Sequence, residues 1–323
     1  MKVADLVESR RESWRTLEAM CDQLETQSRK KLGAPLIANF AARYRAACAD
    51  LALAQAYHLP AGTVYYLHQL VGRAHNQLYR SRSFNFRAWR HEMFTALPQR
   101  LYADRCFRLA LLIFWGIFFA GAYLAYTSPE FTEQILGESA AELESSFSQP
   151  IEGRPSEQSS IMVGFYIKHN TGIGLQCFAA GLLLGIGGLF ATVFNAAFLG
   201  AAFGYMATVA HGEHFFHFVT AHGPFELTAI VLSAAAGMRL GFSLVDTKGM
   251  SRAAALRLAS HEAMPAMGAA MVLFVLAGLI EAFLSPSAAP YAVKAGVAIL
   301  STILLVFYVV VLGYPRRRSV AAR

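Results

Sequence analysis

The sequence predicts an all-α, polytopic integral membrane protein: about six transmembrane helices preceded by a soluble N-terminal helical bundle. Three observations predict it. Only 15% of the 323 residues are charged and 55% are hydrophobic, whereas a soluble domain carries about a quarter charged residues. The apolar residues collect after residue 108 in long runs, each near the roughly 20 residues that a helix needs to cross the hydrocarbon core. The net charge of +7 is unevenly spread. Residues 1–107 hold 16 Lys/Arg against 9 Asp/Glu, residues 127–170 hold 2 against 7, and the stretch after Tyr314 holds four arginines and no acid.

Residues 1–107 read as a soluble region. Val3, Leu6, Val7, Trp14, Leu17, Cys21 and Leu24 recur at helical spacing over 2–28. Gly33 and Pro35 then punctuate the chain. A second helix is expected from Pro35 to about Tyr57, and Pro60 restarts a third that carries His68, Arg73 and His75. Short connections suggest an antiparallel three-helix bundle, with those three side chains packing or solvated. Residues 1–20 show no short apolar core, so the first membrane helix is expected to serve as the targeting signal.

Residues 81–108 interleave aromatic and basic side chains, among them Arg82, Arg87, Trp89 and Arg90. Such a mixture suits stacking on single-stranded nucleic acid. Placed just before a membrane span, it suits an interfacial helix on an anionic leaflet better. No nucleic-acid partner is therefore expected, and the basic pI is explained by topology and lipid. The four cysteines, Cys21, Cys48, Cys106 and Cys177, form no CxxC. They read as small buried hydrophobes, not as a disulfide frame or a zinc knuckle.

The spans are drawn at about 109–126, 172–192, 196–210, 225–245, 264–284 and 293–312, with the second and third joined by a turn near Asn195. The third is short and is expected to be tilted or partly re-entrant. Six spans place the basic N-terminal region, the loop with Lys248, Arg252 and Arg257, and Arg316, Arg317 and Arg318 in the cytoplasm. The acidic 127–170 loop is then outside, as the positive-inside rule requires. Gly181/Gly185, Gly200/Gly204 and Gly237/Gly241 form three GxxxG steps, usable for packing within the chain or for a homodimer. The glycine-rich LLLGIGGLF follows no strand, which excludes a dinucleotide loop.

Polar groups inside apolar sequence mark the candidate site, because each must find a partner at membrane depth. His222, Glu226, Glu281 and Asn195 form the candidate polar site. His211, Glu213, His214 and His217 belong to an outer turn, and His211, His214 and His217 recur every three residues. The spacing permits a zinc site but does not demand one. The plainer reading is that these groups satisfy one another and the helix ends, and a proton or substrate relay stays open. No cofactor is expected, and no metal is assigned. Arg239 lies too far along its helix to pair with Glu226; seven positions from Asp246, it can snorkel inward, and His261 and Glu262 are its expected partners.

The runs HNTGIGLQCFAAGLLLGIGGLFATVFNAAFLGAAFGYM, HGPFELTAIVLSAAAGMRLGFSL and LIEAFLSP resemble the stage II sporulation protein M family, also called DUF95. QLVGRAHNQLYR is similar to the soluble extension of its long form. The family motif Pro-His-Gly-x-x-Glu-Leu matches at His222, Gly223, Glu226 and Leu227, with Ala221 in place of the proline. The resemblance implies a non-enzymatic scaffold in a prokaryotic plasma membrane, assembling other membrane or envelope proteins. It also implies a MoxR-type ATPase and von Willebrand-type proteins as associates. A transporter or channel lined by the His/Glu site, and a metal-dependent membrane hydrolase, remain the alternatives.

Overall fold

The computed structural model describes residues 3–26, 29–78, 86–150 and 156–315. Helices dominate, and among the described residues there is no strand. The chain divides into two compact units, Met1–Asn85 and Phe86–Arg323.

The first unit is a three-helix bundle of α1 (Val3–Thr26), α2 (Arg29–Ala56) and α3 (Ala61–Leu78). Contrary to the expected break, α2 runs through Gly33 and Pro35. Proline forfeits a single i→i−4 bond near the start of a long helix, and the remaining bonds carry it through. Trp14, Leu17, Cys21 and Leu24 meet Phe40, Ala47, Leu67 and Leu70 in the core. Buried Asp50 accepts from the Trp14 indole at 2.8 Å and pairs with Arg10 at 3.5 Å. Arg73 bridges to Asp22 at 2.6 Å and Glu25 at 3.2 Å. His75 hydrogen-bonds with the Tyr44 hydroxyl at 3.0 Å and His68 with the Gln55 amide at 2.9 Å. All three polar side chains therefore hold the bundle together.

Cys21 is fully buried, and burial pushes its thiol up to about 11. The thiolate is the reactive form. At pH 8, Cys21 should resist maleimide in the folded chain while half-buried Cys48 labels. Equal labelling rates, read by mass spectrometry, would refute the bundle packing.

The second unit opens with α4 (Phe86–His91), a π turn (Glu92–Ala96) and α5 (Leu97–Ala103). The sequence grouped this stretch with the soluble region, but it belongs to the membrane unit. Leu97 and Leu101 are buried in the core of that unit, and Arg100 pairs with Glu92 and donates to the His261 carbonyl. Phe86 and Trp89 stack on each other and both remain exposed, beside exposed Arg87 and Arg90. Arg82 lies outside the described residues, as do Arg316, Arg317 and Arg318.

Next come α6 (Arg105–Thr127), α7 (Pro129–Leu136), α8 (Glu138–Ser146), α9 (Ser156–Gly181) and α10 (Ile186–Met206). They are followed by α11 (Gly212–Val219), α12 (Gly223–Val245), α13 (Arg252–Phe283) and α14 (Tyr291–Val306), the last extended by a π turn (Phe307–Val311). Five helices are long and apolar enough to cross a membrane: α6, α10, α12, α13 and α14 with its π turn. The 127–170 loop is largely helical. Ser128 caps α7 by accepting from Phe131 N at 3.2 Å, with Pro129 in the first turn.

The turn expected near Asn195 lies at 182–185. Leu184 and Gly185 take positive φ there, and a Cβ on Gly185 would stand 2.3 Å from the Phe242 ring. Leu182, Leu183, Leu184 and Ile186 stay exposed at this tip. Asn195 sits within α10, its amide returned to the Ala191 carbonyl at 2.8 Å.

Glycine contacts fix the helix directions. A Cβ on Gly200 would stand 2.3 Å from the Phe118 carbonyl oxygen, and one on Gly204 2.0 Å from that of Ala122. Positions therefore rise together along α6 and α10, and the two helices are parallel. A Cβ on Gly237 would stand 2.3 Å from the Phe178 carbonyl oxygen and one on Gly241 2.0 Å from that of Gly181, so α9 and α12 are parallel as well. The returning helix between α6 and α10 is α9, and that between α9 and α12 is α10. All three GxxxG steps are thus used between helices of this chain. A homodimer built on those faces, which the sequence left open, would have to displace them.

Candidate functional site

Four helices deliver polar side chains to the end of the bundle where α6 finishes. His222 precedes the first residue of α12, and its αR backbone lets the ring lie over the first turn, facing Glu226 four residues on. Glu281 comes from the last turn of antiparallel α13, and Asn170 from the middle of α9. His222 is 4% exposed. Its Nε2 stands 3.6 Å from Glu226 Oε2, and its Nδ1 is 2.9 Å from Ser285 Oγ. The Asn170 amide donates to Glu281 Oε2 at 3.1 Å. Buried Lys294, in the first turn of α14, donates to the Ser285 carbonyl at 2.7 Å. One ligand atom each from His222, Glu226 and Glu281 lies within 4.8 Å of the others, and these three could hold a metal ion.

The structure therefore brings together three of the four candidate polar residues and leaves out Asn195. It adds Asn170, Ser285 and Lys294, which the sequence reading did not select. Ser285 lay in view inside LIEAFLSP, four residues beyond Glu281. Lys294 was legible as a lone cation within an apolar run.

The outer-turn residues do not converge on this cluster. His211 and His214 stack with centroids 5.7 Å apart, and His214 Nδ1 meets the Phe147 carbonyl at 3.0 Å. His217 stacks on Tyr291 at 4.8 Å, and Glu213 is exposed. The α11 turn is anchored by these contacts.

A second polar group occupies the opposite end. Arg239 pairs with Asp104 at 2.7 Å and with Glu262. It borders a cavity of about 600 Å³ that Asp246 and Lys248 also line. Glu262 was among the expected partners, and Asp104 was not. Because Asp104 also caps α6 by accepting from Cys106 N at 2.8 Å, Arg239 ties α12 to the start of α6 and to the body of α13.

Residues 110–286 match the family model of stage II sporulation protein M. The chain belongs to that family. The matched span contains every residue of the polar cluster except Lys294. Residues 4–80, the three-helix bundle, match a domain of unknown function, DUF8413, which agrees with a long form bearing an N-terminal extension. The family is not a known enzyme family. Comparison with curated proteins and with solved structures returns no match.

Proposed function

We propose that this member of the stage II sporulation protein M family is a non-enzymatic membrane scaffold that assembles other membrane or envelope proteins. What supports it most is the solid centre of the bundle. Between α9 and α12 there is no room for a single methyl group at Gly181, Gly237 or Gly241. From Ala229 to Gly241, α12 is buried at every position but Arg239. Helices whose backbones touch have no slack for a moving gate or a hydrated path, so a transporter reading gains nothing from this packing. A rigid membrane platform with a separate helical bundle at its N-terminus suits assembly. By family association, a MoxR-type ATPase and von Willebrand-type proteins are the first partners to seek. Affinity capture of the full chain from native membranes should recover a stoichiometric partner. Proton-coupled flux in proteoliposomes, with no partner recovered, would overturn the reading.

The proposed location is a prokaryotic plasma membrane with both termini cytoplasmic. Arg105, Arg108, Arg252 and Arg257 gather at the end where α6 begins, and Glu130, Glu133, Glu138, Glu142 and Glu144 at the other. In a cysteine-free background, a cysteine at residue 145 should react with an impermeant maleimide in intact cells, and one at residue 320 should not. Labelling at both positions would reject this orientation.

A further inference from the structure

We propose that His222, Glu226 and Glu281 form a divalent transition-metal site, with zinc as its natural probe. It rests on the geometry of the cluster and not on the scaffold reading. The separation of His222 Nε2 and Glu226 Oε2, 3.6 Å, is too long for a good N–H···O hydrogen bond. It is close to the roughly 3.3 Å between neighbouring ligand atoms on a tetrahedral zinc with bonds of about 2.0–2.1 Å. The third ligand atom arrives from α13, which packs against α12, so all three donors project from packed helices. All three ligand atoms fall within 4.8 Å of one another.

The surrounding contacts are those that hold metal ligands in place. A ligating histidine engages a partner through its other ring nitrogen, and ligating carboxylates are themselves hydrogen-bonded. His222 Nδ1 meets Ser285 Oγ, which leaves Nε2 directed at Glu226, and Asn170 steadies Glu281. Mixed imidazole and carboxylate donors suit zinc, manganese or ferrous iron and disfavour soft cuprous ion. Three protein ligands leave a fourth position for water. Lys294 donates to the carbonyl of Ser285, the residue that holds His222. Its ammonium opposes a cation electrostatically, so removing that charge is expected to strengthen zinc binding. In a cluster held by ion pairing alone, the same change would only strand the carboxylates.

The test uses the full chain in detergent, stripped with a chelator and titrated with Zn²⁺, bound metal being read by mass spectrometry after gel filtration. Wild type should take up about one equivalent. His222→Gln and Glu281→Gln should each lose at least tenfold in affinity, a loss of the order seen on disturbing metal sites. His211→Ala and His214→Ala should bind as wild type. Lys294→Met should bind as tightly or more tightly. Gel-filtration monodispersity establishes that each variant is folded. No saturable zinc uptake by wild type, or undiminished uptake by both glutamine variants, would overturn the site, and so would loss of uptake in folded Lys294→Met.

Discussion

Gly181→Ala is expected to prevent α9 from docking on α12. The added methyl would stand 2.2 Å from the carbonyl carbon of Gly237 and 2.5 Å from Met238 N, both backbone atoms that cannot rotate away. Overfilling a packed interior costs about 1–3 kcal/mol when side chains can adjust. Here the helices themselves must separate, so about 3 kcal/mol or more is expected. Gly172→Ala on the same helix meets nothing within 4 Å and serves as the control. It should be neutral, or gain up to about 1 kcal/mol from helix propensity. Thermal loss of the monodisperse gel-filtration peak in detergent separates the two. Equal stability of both variants would remove the close contact between α9 and α12.

Trp14→Ala is expected to have an effect of similar size, confined to the first unit. Trp14 is 6% exposed, and its indole donates to Asp50, itself 7% exposed. Removing the ring opens a cavity worth about 3–5 kcal/mol. It also leaves Asp50 paired with Arg10 at 3.5 Å. Trp14→Phe keeps most of the volume and loses the donor, at about 1–3 kcal/mol. Limited proteolysis should clip residues 3–78 of the alanine variant rapidly and leave 86–315 at the wild-type rate. Wild-type resistance throughout would show that the buried indole is not what holds the bundle.

The sequence carried the class of the molecule clearly, because long apolar runs and alternating charge are properties of composition. The turn at 182–185 was illegible for a physical reason. Turns usually announce themselves with polar residues, whereas this one is built from Leu182, Leu183, Leu184 and Gly185, whose leucines are exposed. Asn195 stands out as an amide deep in a long apolar stretch, yet its hydrogen bond is spent one turn back on its own helix. His222 and Glu226 were readable as neighbours because they are four apart on one helix. Asn170, Ser285 and Lys294 reach the cluster from α9, the end of α13 and α14, and sequence spacing does not encode such distant meetings. The helices in 127–170 left a local signal in Ser128-Pro129-Glu130, a capping serine followed by proline and an acid.

The parallel glycine pairings set a timetable for biosynthesis. Phe118 waits for Gly200 to be made, and Gly181 waits for Gly237. At about 5–20 residues per second, each wait lasts on the order of three to fifteen seconds. Throughout it, α6 and then α9 wait with the faces that will pack on α10 and α12 uncovered. A nascent chain arrested before α12 would expose the Gly181 groove to every other helix in the membrane. Such a fragment is a natural client for an insertase or a membrane protease, and the completed chain, its grooves filled, is not.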